Sequence, residues 1–422
     1  MLVELAKYKV IKKVNWVHIY LVGGAVRDKL LNIKVSDHDW VVVGSSPQEL
    51  LEAGYLPVGK DFPVFIHPKT KEEYALARTE RKVSTGHTGF ECFFSPSVTL
   101  EEDLSRRDLT INAMAQHPDG QIIDPFKGRE DLKSRQLRHV SDAFIEDPLR
   151  ILRVARFHAK LFHLGFKIAP ETMLLMKNMV ETGDLQTLTP ERIWQEWSKS
   201  LATPNPHVFL STLRECGALA IILPELDALF GVPQPEKWHP EVDTGIHTLL
   251  VAEQAAMLSE SLTVRFAAQV HDLGKGVTPK EEWPSHKRHC QTGLKLIKEL
   301  CNRICIPNEF KELALMVCEH HSNIHRASEL KASTKLKILN KCDVWRKPHR
   351  FEDILITCMA DSQGRTSFEK HPYPQKHILE QAYQAALGVN VQDVIKDGFQ
   401  GASIRTELEQ RRITAIKESK PK

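Results

Sequence analysis

Two acidic residues two positions apart, Asp37 and Asp39 in Asp-His-Asp, and a Gly23-Gly24 turn upstream of them could together handle phosphate. Strand side chains alternate in direction, so carboxylates two apart leave the same face. Held that close they repel, unless a cation sits between them. Mg²⁺ prefers such hard oxygens and also takes phosphate oxygens. The glycine pair lets backbone N–H groups approach a phosphate, and the helix that follows, with Arg27 and Asp28 in its first turns, aims its positive end at that anion. A lone Asp-x-Asp is more often a solvated turn; with the glycine turn, the arginine and an apolar strand beside it, the pattern points to nucleotidyl transfer. A second chemical set lies in the C-terminal half: His247, His271-Asp272, His286, His289, His320, His321, His325 and Asp361. Any one of these histidines is more often a core or surface residue, but imidazole with carboxylate suits a transition metal. A bound metal acidifies water into a nucleophile for a phosphate ester. Lys275 and the His286/His289 pair could bind the phosphate.

Positioning these groups requires an N-terminal α+β part and a helical remainder. An apolar run ends at Gly23, a helical pattern follows, and Trp40-Val41-Val42-Val43 continues from the carboxylates as a strand. Ser46 caps a helix with Pro47 in its first turn. Val64-Phe65-Ile66 and Tyr74–Ala77 read as short strands around the polar turn 67–72, and Glu73 could be a third acidic group. Residues 78–90, polar and glycine-punctuated, read as a mobile loop. In Leu104–Ala113, Arg106 or Arg107 could grip a triphosphate through forked hydrogen bonds, while Asp108 and Asn112 could order backbone or ribose. Glu146–Phe157 opens the helical part. Pro148 suits a first turn, and Arg150, Arg153 and Arg156 form a stripe that is either a solvated basic face or a ligand-binding one. The prolines between residues 223 and 235 mark a boundary.

Composition limits the function classes. A chain of 422 residues accommodates several domains, and a net charge of +3 means that an acidic partner must be met by a local basic patch. No apolar run reaches about 18 residues, so no membrane span is expected. Eight cysteines without C-x-x-C spacing, and a start lacking a signal-peptide core, fit reduced thiols and a cytoplasmic location. Cys301 and Cys305 fit one helix face. Residues 1–17 read as an amphipathic extension or a frayed end.

The GGAVRD string with its paired carboxylates resembles the nucleotidyltransferase superfamily, in the branch of class II tRNA nucleotidyltransferases and bacterial poly(A) polymerases. RRDLTINA matches that branch's RRDxTxNA motif, and EDPLR its EDxxR motif. The resemblance implies that Asp37 and Asp39 are catalytic and bind Mg²⁺. It also implies that Gly24, Arg27 and Arg107 bind ATP or CTP, that Asp147 and Arg150 read the base, and that Arg153 and Arg156 hold base or phosphate. Side chains would then replace a nucleic-acid template. VHDLGKG with the surrounding residues resembles the HD-domain phosphohydrolases, which makes His247, His271, Asp272 and Asp361 the candidate metal ligands.

Both halves together are similar to the bacterial multifunctional CCA proteins from His18 onward, through YALARTERK, Lys60–Phe65 and Trp345–Pro348 as well. His38 departs by replacing a basic residue between the carboxylates, and Cys290 by standing in the histidine-rich loop. The resemblance implies CCA addition to the tRNA 3′ acceptor end from CTP and ATP. It also implies 2′,3′-cyclic phosphodiesterase activity with Mg²⁺, 2′-nucleotidase activity, and a phosphatase served by Ni²⁺ or another transition metal. The implied order is an extension (1–17), a nucleotidyltransferase head with a small mixed sheet (18–145), an all-α neck and body (146–230), an HD domain (231–365) and a helical tail (366–422). A monomer is expected, with a homodimer as the alternative. Two other readings compete: a poly(A) polymerase, and an HD phosphohydrolase with an inactive head.

Overall fold

The computed structural model describes residues 17–35, 37–58, 64–82 and 90–419. The expected N-terminal extension up to residue 16, the Lys60–Pro63 part of the KDFPVF string and the centre of the expected loop at 83–89 lie outside them. The chain forms two compact units, one running to Thr189 with Cys216–Ala218 added, the other comprising Pro190–Glu215 and Leu219 onward.

The first unit is built on a seven-stranded mixed sheet. Its strands are β1 (His18–Val22), β2 (Asp39–Val43), β3 (Leu56–Val58), β4 (Val64–Ile66), β5 (Glu73–Leu76), and the short pairs Ala115–Gln116 and Ile122–Ile123. β1 lies centrally, antiparallel to β2 and to the Ala115–Gln116 strand, and β2 runs parallel to β5. Apolar side chains of the sheet and of the segments packed on it make the core: Val22, Val41, Ala77, Val98, Leu104, Ala113 and Ala115 are all buried together. Trp40 and Tyr74, paired in register, stack with ring centroids 5.7 Å apart. Helix α1 (Gly24–Leu30) starts directly from β1, and α2 (Pro47–Glu52) carries a full capping box between Ser46 and Glu49, as the sequence dictates. One expectation is corrected. Arg78–Lys82 is a strand paired antiparallel with Phe90–Phe94, because a two-stranded ribbon needs backbone pairing and no alternating apolar face. Helices α3 (Leu100–Ser105) and α4 (Leu149–Leu161) complete the part that surrounds the candidate residues.

The second unit is helical. α5 (Pro190–Leu201) buries Trp197, whose indole N–H donates to Gln269 Oε1 at 2.8 Å. Trp194, Trp197, Phe266 and Phe310 meet edge to face around it. α6 (Thr244–Leu258) is capped by Asp243, and α7 (Leu262–Val270) ends where His271 begins. α8 (His289–Arg303), α9 (Asn308–His325) and α10 (Pro348–Gln363) pack around them. Cys301 is buried on α8, but Cys305 lies beyond its end in a left-handed conformation (φ 54°), so the two do not share a helix face. In the tail, Arg411 pairs with Asp397 and Glu407, and Arg412 lies 3.8 Å from the Trp345 ring. None of the helices formed by the described residues is long and apolar enough to cross a membrane.

Candidate functional site

In the first unit, several of the candidate residues meet where β1 ends. Gly23 has φ +68°, a conformation that costs a glycine little. A Cβ there would lie 2.9 Å from the Arg107 guanidinium, so the turn and Arg107 are in direct contact. Arg107 pairs with Asp103 at 3.2 Å, and among the described residues its buried Nε has no partner. Arg106, the other candidate, is turned to Asp103 and to the Arg78 carbonyl. The geometry separates the two arginines that spacing left equal.

Behind the turn is a charge network. Arg27, buried, donates to Asp28 at 2.8 Å and to Asn112 Oδ1 at 2.6 Å. Asp28 also meets Lys160 at 3.0 Å. Asn112 donates to Asp108 at 3.0 Å, and Asp108 takes Arg153 at 2.7 Å. Burial works against the Asp108 charge, but Arg153 and the Asn112 hydrogen bond outweigh it and hold the carboxyl far below its usual range. Arg156 lies over the Phe157 ring at 4.3 Å. Asp147 accepts from the Leu149 N–H at 3.1 Å, which opens α4. Arg150 is buried and gives its two terminal nitrogens to the carbonyls of Ala143 and Arg106, each at 2.6 Å. Asp37 and Asp39 are both exposed; β2 begins at Asp39, and Glu73 stands beside Asp39 in the parallel register. These oxygen donors fit a hard divalent ion.

In the second unit, five imidazoles turn Nε2 toward two buried carboxylates. His247 Nε2 is 3.1 Å from Asp361, and His325 Nε2 is 2.7 Å from it. His271 Nε2 lies 3.2 Å from Asp272 and 3.7 Å from Asp361. His289 and His321 each place Nε2 3.5 Å from Asp272. Four of the rings donate Nδ1–H to a backbone carbonyl: His247 to Gly364, His271 to Ala268, His289 to His286, and His321 to Val317 or Cys318. A carbonyl only accepts, so in the neutral rings the Nε2 lone pair faces the carboxylates. Lone pairs and anions repel unless a proton or a cation lies between them. Among the described residues, the buried His271 Nε2 and Asp272 Oδ1 have no hydrogen-bond partners. Such a donor set, with its rings oriented from outside by carbonyls, could hold a divalent metal ion. Burial alone would lower the His271 pKa, but Asp272 and Asp361 outweigh it and raise it to about 9; burial pushes His321 down to about 3.

All four candidate ligands, His247, His271, Asp272 and Asp361, thus meet. His289, expected to bind phosphate, joins them, as do His321 and His325. Glu241, which no motif singled out, accepts from His247 Nδ1 at 2.9 Å. His286 does not join: its nitrogens meet Thr278 and the Pro233 carbonyl. Lys275 pairs with Asp272, and His320 lies 3.9 Å from Glu319 instead.

Three family descriptions match the chain: "Poly A polymerase head domain" over residues 19–138, "Probable RNA and SrmB- binding site of polymerase A" over 165–230, and "HD domain" over 244–345. Among curated relatives, a Multifunctional CCA protein of Vibrio campbellii is 69% identical over 399 residues, covering 94% of this chain and 98% of the relative. One from Vibrio cholerae is 67% identical over 398 residues, covering 94% and 99%. Among solved structures, the Bacillus stearothermophilus CCA-adding enzyme in complex with CTP has a TM-score of 0.66 at 24% identity, covering 99% of this chain and 93% of that one. The Thermotoga maritima CCA-adding enzyme complexed with tRNA has a TM-score of 0.64 at 21% identity, covering 100% and 92%. At such identities the structural likeness speaks for the fold.

Proposed function

The chain belongs to the multifunctional CCA protein family, tRNA nucleotidyltransferases that carry an HD phosphohydrolase domain, and from that premise we propose that it adds and repairs the 3′-terminal CCA of tRNA from CTP and ATP without a nucleic-acid template. The observation that carries the reading is the contact of Arg107 with the Gly23 turn, which leaves a buried, unpartnered guanidinium N–H beside a turn suited to phosphate. Arg107 and the Gly24 backbone hold the triphosphate, and Arg27 stiffens the helix start through Asn112. The tRNA 3′-hydroxyl attacks the α-phosphate and pyrophosphate leaves. Asp37 and Asp39 would hold Mg²⁺, which when bound supplies positive charge against the nucleophile and the leaving group.

Base reading is assigned to Asp147 and Arg150, with Arg153 and Arg156 on base or phosphate; a base edge would displace one of the two carbonyls that Arg150 now holds. We carry over CTP and the tRNA acceptor end as ligands from what the two solved relatives contain, and place the work in the cytoplasm. The expected segments 18–145, 146–230, 231–365 and 366–422 remain the proposed functional division.

To the histidine centre we assign 2′,3′-cyclic phosphodiesterase, 2′-nucleotidase and phosphatase activity, which would clear damaged RNA ends before repair. The phosphodiesterase would use Mg²⁺ and the phosphatase Ni²⁺ or another transition metal, held by His247, His271, Asp272 and Asp361. Incubating tRNA that lacks CCA with labelled CTP and ATP tests the main reading. Ordered addition of C, C and A supports it. A run of A alone identifies a poly(A) polymerase, and no incorporation identifies an inactive head.

A further inference from the structure

Beside the histidine centre lies a cavity of about 590 Å³ whose lining includes Trp238, His239, Lys275, Arg326, Arg365 and Tyr373. Three of these carry a fixed positive charge, and two are already spent. Lys275 Nζ lies 2.6 Å from Asp272 and 2.5 Å from the Gln234 amide oxygen. Arg326 pairs with Glu329 at 2.7 Å. Arg365 differs: among the described residues its guanidinium has no hydrogen-bond or ion-pair partner, and its Nε is buried without one. A buried donor without an acceptor is costly. At a cavity wall, an acceptor that arrives with a ligand removes that cost.

Arg365 is also held in place. It follows Gly364, where a Cβ would come within 2.6 Å of the Val251 backbone, so this turn is pressed against α6. The Gly364 carbonyl accepts from His247 Nδ1 at 3.0 Å, so a single peptide both orients a metal-ligand candidate and positions Arg365. Trp238, on the same cavity, is 58% exposed, and Lys237 Nζ sits 4.8 Å from its ring. A planar guanidinium matches phosphate oxygens two at a time, and an exposed indole offers a face on which any base can stack.

We propose that Arg365 grips the phosphoryl oxygens, and Trp238 stacks the base, of a nucleotide phosphate ester in this cavity, so that the histidine centre favours nucleotide phosphates over small phosphate esters. The proposal rests on the hydrolytic reading of that centre. The test is calorimetric titration of the full chain, its head saturated with CTP, using 2′-AMP and inorganic phosphate as probes. Arg365→Gln should weaken both about tenfold or more, and Arg365→Lys, which keeps the charge but not the fork, should recover part of that loss. Trp238→Ala should weaken 2′-AMP about tenfold and leave inorganic phosphate unchanged.

Thermal melts verify that each variant is folded; if Arg365→Gln melts early, Arg365→Lys carries the test with an expected loss of at least threefold. Wild-type affinity for both probes in the folded Arg365 variant overturns the proposal, as does equal weakening of both by Trp238→Ala. Turnover of 2′-AMP by the unaltered protein is followed separately. Arg365-dependent binding without turnover defeats the hydrolytic reading and keeps the binding assignment. Turnover with binding indifferent to Arg365 defeats the assignment alone.

Discussion

The two candidate centres bury charge in opposite ways. Behind the Gly23 turn every buried anion has a cation of this chain: Asp28 has Arg27 and Lys160, and Asp108 has Arg153. In the histidine centre, Asp272 has the Lys275 cation, but His247, His271, His289 and His321, when neutral, present lone pairs to Asp272 and Asp361. The first arrangement is complete as folded, and its carboxylate pair, Asp37 and Asp39, stays exposed for an ion that can come with substrate. The second is incomplete without a proton or a metal. A metal that filled it would stabilise the folded state, whereas an ion held by Asp37 and Asp39 would belong to the reaction.

The sharpest way to break this comparison is Asp39→Ala. Incorporation of CMP and AMP into tRNA should fall about a thousandfold or more, since one carboxylate of the pair is lost from charge stabilisation worth several kcal/mol. Hydrolysis of 2′,3′-cyclic AMP should stay within about twofold. Loss of both activities together, measured on the same preparation, would mean that the centres are not separate.

Chelation sharpens the same contrast in stability. An ion bound only by the folded form at a hundred times its dissociation constant contributes about 2.7 kcal/mol. Stripping metal with EDTA should therefore lower the protection of amides in α6, α7 and α10 against hydrogen exchange. The β1–β2 core should be unmoved. Equal loss in both units would place a resident metal in the head as well.

The paired network makes its own prediction. Arg153→Met leaves Asp108 buried without its main cation; because Arg153 itself is 36% exposed, the cost should be about 1–3 kcal/mol, below that of a wholly buried pair. Its pH dependence follows from the depressed carboxyl. In the wild type the Asp108 contribution is fully present above the unfolded value of about 3.9 and is lost as pH falls from there toward the low folded value. The penalty of the variant should thus be largest near neutrality and shrink in acid, as urea melts from pH 7 down to 3 can show. A penalty independent of pH would mean that lost packing of the Arg153 stem, and not its charge, dominates.

What the sequence revealed depends on whether a feature is local. The strands at 64–66 and 73–76 and the Ser46 cap are written in short windows of side-chain type, and the candidate histidine ligands sit near recognisable strings. The choice of Arg107 over Arg106 came from the motif resemblance and not from spacing; its physical reason is not local, because it depends on which guanidinium meets Gly23 from across the fold. The 78–82 strand was hidden because a polar ribbon carries no apolar alternation. Lys275 and His286 looked available for phosphate until their neighbours appeared. Arg365 was invisible for the converse reason, since having no partner is a property only of the folded chain.

The smallest expected effect lies in the turn that joins β1 to α1. Gly23→Ala must hold φ near +68°, which costs an alanine about 1–2 kcal/mol, and its methyl would stand 2.9 Å from Arg107. That contact is with the end of a flexible side chain, so Arg107 can give way and the head should still fold. Giving way moves the guanidinium off the turn where the triphosphate is proposed to sit. The KM for CTP should therefore rise several-fold with a smaller change in kcat, while cyclic-nucleotide hydrolysis is untouched. Gly54→Ala is the control: it also has positive φ (+83°) but has nothing within 4 Å of the added carbon, so it should show the backbone cost in a urea melt with an unchanged KM. If both variants raise KM alike, general softening of the head explains the effect, and the contact between Gly23 and Arg107 carries no function.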